Sequence, residues 1–383
     1  MKEVRLGIVG LGNMGSAHAD NVLAGKVPRL RLTAVADENA DKVARYPQAK
    51  GFASAGEMIA SGEIDAILIA TPHYSHTTIG IDALNAGLHV LVEKPISVHK
   101  ADCERLIAAH KSSDQVFAAM FNQRTDPYYI KLREMIQSGE LGEIRRASWT
   151  ITDWFRTYLY YASGGWRATW GGEGGGVLLN QCPHNLDLWY WFFGRPSRVR
   201  AFCHISRYHD IEVEDDVTAY MEYSSGMHGT FITSTGEAPG TNRLEVVGEQ
   251  GRVVIEADKF LYTRNETRMS DFSKSVDAMY SRPSVWNVEI PLSGHGGQHV
   301  EILRNFTAAI LDKEPLIAPA EEGIHSVELA NAMLLSSARG ETLEMPFDAA
   351  EYENWLKKKI AESTFVKKTV EVKASDFTLS FAH

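Results

Sequence analysis

The chain has 383 residues, 44% hydrophobic and 23% charged, with a formal net charge of −10. This length and composition imply a globular protein of two domains. The acidic balance excludes nucleic acid as a partner, and no apolar run approaches the length of a membrane span. With a first strand expected from Val4, no leader segment is expected before the fold. Cys103, Cys182 and Cys203 are widely spaced. They fit neither a disulfide framework nor a zinc site, so a reducing, cytoplasmic compartment is expected.

Residues 4–9 read as a buried strand, followed at once by Gly10-Leu11-Gly12-Asn13-Met14-Gly15 and a helix from Ser16 to about Ala24. This is the order of a nucleotide-binding β-turn-α unit. Gly10 permits the sharp turn, Gly12 lets a pyrophosphate approach the backbone, and Gly15 lets helix and strand pack closely. The helix N-terminus, with Asn13 and Met14, then faces the phosphates. Leu30–Ala36 reads as a second strand, ending on Asp37 where a carboxylate would meet the ribose hydroxyls. Glu38 adds a second negative charge, and no Arg or Ser follows to receive a 2′-phosphate. The expected cofactor is therefore NAD rather than NADP.

Ser54–Ile59 is expected to be a short helix and Ile64–Ala70 a strand buried on both faces. Thr71-Pro72 opens a loop, Pro72–His76, at a strand's carboxyl end, where ligands sit in open parallel sheets. Thr71, Pro72 and His76 are accordingly candidate cofactor contacts. A helix over Thr78–Ala86, a strand at His89–Val92, a helix over Val98–Ser112 and a strand at Gln115–Met120 complete the alternation. The expectation is an N-terminal doubly wound parallel sheet, residues 1–122, that binds the dinucleotide. Asn122 to Arg124 end its last strand beside the expected nicotinamide.

From 123 to 383 the texture changes. A helix is expected over Pro127–Gln137. Strands follow at Ile144–Thr152, Ser197–Ile205, Asp215–Tyr223, Met227–Thr235, Asn242–Val247 and Gly251–Glu256. They alternate in polarity and imply a large, mostly antiparallel open sheet in an α+β substrate-binding and oligomerisation domain. Helices are expected at Gln298–Leu311, Ala320–Ser336 and Ala349–Ile360. Residues 364–383 carry no clear pattern.

Two constellations could carry chemistry. Lys94, between Glu93 and Pro95, ends a buried strand beside the cofactor cleft, where a lysine can hold a hydroxyl and stabilise a developing alkoxide. The second is the run from Gly172 to Trp189. Pro183 opens an apolar helix that Gly194 ends, and His184 and Asp187 share one face of it. A neutral imidazole there could take the proton of an alcohol while hydride leaves the same carbon. Trp154, Tyr158, Tyr160, Trp166, Arg167 and Trp170 crowd the preceding loop. Rings and an Arg suit a carbohydrate, with Trp166 and Arg167 the leading substrate contacts and the other rings partly filling the interface. His73 with His76, and His295 with His299, share loops but lack a third ligand, so no metal is expected. Cys182 has no arrangement that would make it a nucleophile.

The order of these motifs resembles the Gfo/Idh/MocA family, the glucose–fructose oxidoreductase and inositol dehydrogenase group. The matching pieces are the glycine run, the strand end at Asp37, Thr71-Pro72, Glu93-Lys94-Pro95, the run Gly174–Asp187 and the segment Ala318–Ser337. The resemblance implies a Rossmann domain and an antiparallel sheet through which homodimers or homotetramers form. It implies His184 as general acid/base, Lys94 as hydroxyl anchor and a cis peptide before Pro95. Many dehydrogenases of the family carry Asp four residues before the histidine, whereas this chain has Asn180. An amide can orient the ring or bind a sugar hydroxyl but supplies no charge, so the charge would come from Asp187 or another acid, or be missing. The expected activity is NAD-dependent oxidation of a hydroxyl of a sugar, inositol or related polyol. The alternatives are a glycoside-cleaving enzyme using transient sugar oxidation and a non-catalytic NAD- or sugar-binding regulator.

Overall fold

The computed structural model describes residues 2–370, so the end of the tail, 371–383, lies outside the described residues. Two sheets form, each from a different hydrophobic pattern. β1 (Val4–Val9), β2 (Leu30–Ala36), β3 (Lys50–Phe52), β4 (Ala66–Ile69), β5 (His89–Val92) and β6 (Phe117–Ala119) make a six-stranded sheet in the order β3-β2-β1-β4-β5-β6. Every pairing in it is parallel. All four residues of β4 are buried, as expected where helices cover both faces. Those helices are α1 (Asn13–Leu23), α2 (Ala40–Val43), α3 (Ala55–Ala60), α4 (His73–Asn85) and α5 (Lys100–Ala109). The strand order reverses between β1 and β4, so a crevice opens at their carboxyl ends.

The segment expected as a loop over Pro72–His76 is mostly helix. Pro72 is the N-cap and α4 starts at His73. Proline suits a helix entrance, but His73-Tyr74-Ser75-His76 has no apolar periodicity to reveal the first turn. His73 and His76 therefore stand on a helix, as does His299.

A 3-10 turn at Asn122–Thr125 leads into α6 (Pro127–Gln137), where Asp126 caps the backbone N–H of Tyr128 at 2.9 Å. The chain continues through β7 (Ile144–Ile151), α7 (Tyr158–Ala162), α8 (Val177–Asn180) and α9 (Pro183–Phe193). Next come β8 (Arg198–Ile205), β9 (Glu214–Glu222), β10 (His228–Ser234), β11 (Asn242–Gly248), β12 (Gly251–Glu256) and β13 (Lys259–Asn265). After α10 (Met269–Ser275) and β14 (Val285–Glu289) come α11 (Gln298–Asp312), α12 (Ile324–Arg339), β15 (Leu343–Glu344) and α13 (Ala349–Glu362). The nine strands pair in the order β14-β13-β12-β11-β7-β10-β9-β8-β15. All pairings are antiparallel except β7 with β10.

One face of this sheet buries α9 and α12. Trp189 on α9 packs its ring edge-on to Phe231 of β10, with centroids 6.0 Å apart. Gly229 makes room for it, since a Cβ there would lie 2.3 Å from the Trp189 ring. α11 turns back to the first sheet, where Ile302, Leu303 and Phe306 join the cluster of Leu6, Ile8 and Leu11. Its apolar stripe is legible in the sequence, but which of two cores receives it is decided by tertiary packing. No described helix is long and apolar enough to cross a membrane.

Candidate active site

The crevice above the first sheet begins at the glycine turn. Gly10 takes φ +87°, and a Cβ on it would lie 2.6 Å from the Ala70 carbonyl oxygen. A Cβ on Gly15 would lie 1.8 Å from the Gly10 carbonyl oxygen, so strand and helix touch there through bare backbone. Gly12 is different, because a Cβ on it meets nothing within 4 Å. It caps α1 without a side-chain bond, and the first turn of α1 carries no acidic residue. Leu11, Gly12, Asn13 and Met14 line one end of a cavity of about 1340 Å³. Open space over uncapped N–H groups fits a dinucleotide pyrophosphate. Asp37 accepts from the Leu11 N–H at 2.7 Å and from the Asn39 N–H at 2.9 Å. It thus braces the turn, with Lys42 3.3 Å from its carboxylate.

At the end of β5, Glu93 is 6% exposed and meets His18 Nε2 at 2.7 Å. Burial would raise the Glu93 carboxyl, but the hydrogen bond and charge of His18 hold it down at about 2. Lys94 follows, joined to Pro95 by a cis peptide. Its Nζ donates to the backbone carbonyl of Asn180 at 2.7 Å. Burial lowers the Lys94 pKa, opposed by Glu93 and reinforced by Arg167 and Arg156. His184, in the first turn of α9, lies edge-on to Phe121 at 6.1 Å. Burial pushes its pKa well below 6.5, and the charges of Lys94 and His299 add to that. Its Nδ1 is buried with no hydrogen-bond partner among the described residues.

Asn180 ends α8, a short helix fixed by a carboxylate. Glu214 of β9 accepts from the Gly176 N–H at 2.8 Å and the Leu178 N–H at 3.1 Å. The Asn180 amide nitrogen donates to Glu173, whose other oxygen accepts from the Ala168 N–H at 2.6 Å. The Asn180 Oδ1 accepts from Tyr160 at 3.2 Å, and Arg167 and Gln181 donate to that same tyrosine hydroxyl at 3.0 and 2.9 Å. The acid beside Asn180 is therefore Glu173. Asp187 is spoken for, because Arg124 donates to both of its oxygens at 2.6 and 2.8 Å. The three-residue spacing put His184 and Asp187 on one face, but they meet different partners.

Glu93, Lys94, Asn122, Arg167, Asn180 and His184 line the same cavity as Gly12, Asn13 and Met14. Gly10, Gly15, Asp37, Thr71, Pro72, His76 and Trp166 are not among the residues that line it. His76 is 1% exposed, with its ring nitrogens 2.8 Å from the carbonyls of Pro95 and Thr71. Trp166 lies against His73 at 5.4 Å and under the Arg167 guanidinium at 4.6 Å. Trp170 is buried against Trp355. The sequence reading passed over His18 and Arg156, and weighed His299 only as a metal ligand. His18 lies one turn beyond Gly15, which was a usable signal. Arg156 and His299 reach the cavity from segments far apart in the chain, which no local pattern reveals. No group of three or more His, Cys, Asp or Glu among the described residues is gathered to hold a metal.

Comparison with known proteins finds matches to both halves of the chain. Residues 4–121 match the model described as oxidoreductase family, NAD-binding Rossmann fold, and residues 129–254 match the GFO/IDH/MocA C-terminal domain. The myo-inositol 2-dehydrogenase of Thermotoga maritima is 27% identical over 263 residues, covering 66% of this chain and 75% of that protein. The inositol 2-dehydrogenase of Rhizobium meliloti is 27% identical over 346 residues, covering 88% and 97%. The WlbA dehydrogenase of Chromobacterium violaceum, solved with NADH and UDP-GlcNAcA, superposes with a TM-score of 0.78 at 25% identity, covering 91% of this chain and 97% of that one. With both domains matched in order around one glycine-turn cavity, the chain belongs to the Gfo/Idh/MocA family and is an NAD-dependent oxidoreductase.

Proposed function

We propose that the protein oxidises a hydroxyl group of a sugar, inositol or related polyol, with His184 as acid/base and Lys94 as hydroxyl anchor. The observation that carries this reading is that both side chains open into the cavity that begins at the glycine turn. Gly12, Asn13 and Met14 would hold the pyrophosphate of NAD, and Asp37 the ribose. When bound, NAD supplies the hydride acceptor.

The remaining work falls to the chain. Lys94 keeps one N–H on the Asn180 carbonyl. Its other two are available to orient the substrate hydroxyl and to stabilise negative charge building on that oxygen. Burial keeps the His184 imidazole neutral, the form that can accept the hydroxyl proton. Once protonated, the ring would face Lys94, so the charge is unstable there and the proton is readily passed on. Asn180 supplies no charge to hold it. Its amide fixes Tyr160 and Glu173, which shapes the substrate side. Relatives named for inositol and levoglucosan support a polyol or sugar substrate.

Two further parts belong to this reading. Phe202, Tyr220 and Leu261 are exposed on the second sheet, which supports pairing of copies through that face into a homodimer or homotetramer. Three unpaired cysteines support a cytoplasmic setting. The test of the activity is a panel of sugars and polyols offered with NAD and NADP in parallel, read as NADH or NADPH absorbance. Reduction of NAD by at least one member is expected, and no reduction with any member sinks the dehydrogenase reading.

A further inference from the structure

We propose that Arg156 and Arg167 form an anion subsite beside Lys94, and that the substrate is a carbohydrate bearing an oxyanion, a carboxylate or a phosphate, away from the reacting hydroxyl. This rests on the dehydrogenase reading and narrows its substrate class.

The two arginines come from separate segments, one just beyond β7 and one in the loop before the glycine run, and both line the cavity. Their guanidiniums flank the same ring, with carbon centres 5.1 and 4.7 Å from the Tyr160 centroid. Arg156 also lies 5.3 Å from the Trp154 ring, and Arg167 lies 4.6 Å from the Trp166 ring. Aromatic faces hold a guanidinium in place while its edge N–H groups stay available.

Those N–H groups are largely unspent. Arg156 donates from Nη1 to its neighbour, the Phe155 carbonyl, at 3.0 Å, while its Nε is buried with no partner among the described residues. Arg167 donates to the Tyr160 hydroxyl. Among the described residues, no carboxylate lies within ion-pairing distance of either. The buried Arg124, by contrast, meets Asp187 at 2.6 Å. Of the acids that line the cavity, Glu93 is taken by His18 at 2.7 Å. Glu173 gives its oxygens to Ala168 and Asn180.

The charges of Arg167 and Arg156 act against protonation of Lys94, while those of Glu93 and Glu173 favour it. The three cations line one half-buried site, and an oxyanion relieves the part of their repulsion that these two acids leave. A neutral polyol needs rings and hydrogen bonds there, not two guanidinium forks. Such a fork matches the geometry of a carboxylate or phosphate. The chain as a whole is acidic, so this local positive field comes from placement and not from composition.

The test compares three ligands sharing one ring: D-glucose, D-glucuronate and D-glucose 6-phosphate. Binding to the NAD-loaded protein is followed by calorimetry, for the parent and for Arg156→Ala, Arg167→Ala and Arg167→Lys, each first checked for unchanged NAD binding. At least one anion should bind about tenfold or more tightly than glucose. That preference should shrink with added salt, vanish in both alanine variants and partly return in Arg167→Lys. Equal affinities, binding of none of the three, or a preference that survives both alanine variants overturns the subsite. Which anion wins separates carboxylate from phosphate. NADH formation with the substrate panel is scored separately, so a failed dehydrogenase reading stays distinguishable from a failed subsite.

Discussion

Lys94 Nζ donates to the Asn180 carbonyl at 2.7 Å, one helical turn before His184. The bond joins the end of a strand of the first sheet to a helix packed against the second. The anchor and the base are thus held in one frame, as an oriented proton transfer requires. Lys94→Ala removes the cation and the tie together. Turnover should fall by about 10³-fold or more, while NAD titrated by fluorescence binds within about twofold of the parent. Turnover within tenfold of the parent would remove Lys94 from the mechanism.

Asn180 invites the substitution Asn180→Asp, which would restore the acid of the family pattern. The structure argues that it fails by itself. The amide nitrogen donates to Glu173, which is 2% exposed, and burial has already raised that carboxyl's pKa. A second carboxylate there replaces a hydrogen bond with repulsion. Asn180→Asp should lose about 1–3 kcal/mol in urea denaturation, and Glu173→Gln in the same chain should recover most of it. Additive losses in the double-mutant cycle would show that the two side chains are not coupled.

How much could be read without coordinates follows from the same residues. β4 is a continuous apolar run, β1, β2 and β5 are mostly apolar, and helices such as Pro127–Gln137 carry their own start and stop signals. β3 and β14 escaped because β3 has three residues and every residue of β14 is exposed, leaving little pattern to detect. Lys94 and His184 were legible because each sits in a compact motif. The Arg124–Asp187 pair joins segments 63 residues apart, which no local pattern reveals. The Asn180–Glu173 bond spans only seven residues, but it depends on how the glycine run folds back on itself.

The buried histidines set a pH window. His184 lies well below 6.5 and Lys94 below 10.5, in each case through burial first. The acid limb of kcat/KM should therefore fall below pH 6.5 and the basic limb below pH 10.5. For stability, His299 is lowered to about 4, again by burial first and then by the charge of His18. Between about pH 4 and 6.5 the unfolded chain takes up a proton that the folded ring refuses, so stability rises with pH across that window. His299→Phe should flatten that slope in denaturation series, and an unchanged slope would assign it to other groups.

Arg124 holds the helix of His184 from below. It is 3% exposed, bonds both oxygens of Asp187, reaches Glu322 at 2.5 Å, and so links the end of β6 to α9 and to the turn before α12. Burial raises the Asp187 carboxyl and the Arg124 charge opposes it. Removing one partner strands the other, so Arg124→Met should lose about 3–5 kcal/mol. The pair Arg124→Met with Asp187→Leu should lose clearly less, because no charge is left buried alone. If the double variant is the less stable of the two, packing and not charge governs the site.

The glycine turn separates cofactor binding from folding. A Cβ on Gly15 would sit 1.8 Å from the Gly10 carbonyl oxygen, and backbone on both sides cannot yield. Gly15→Ala should therefore lower the melting temperature and weaken NAD together. At Gly12 the backbone φ is −73°, within reach of any residue, and a Cβ meets nothing within 4 Å. Gly12→Ala should melt within about a degree or two of the parent, since surface changes of this kind stay within about 0.5 kcal/mol. Its methyl group nevertheless enters the space over the helix N-terminus, so NAD should bind at least about tenfold more weakly, as a blocked pyrophosphate contact implies. Unchanged NAD affinity in Gly12→Ala would place the pyrophosphate elsewhere along the cavity.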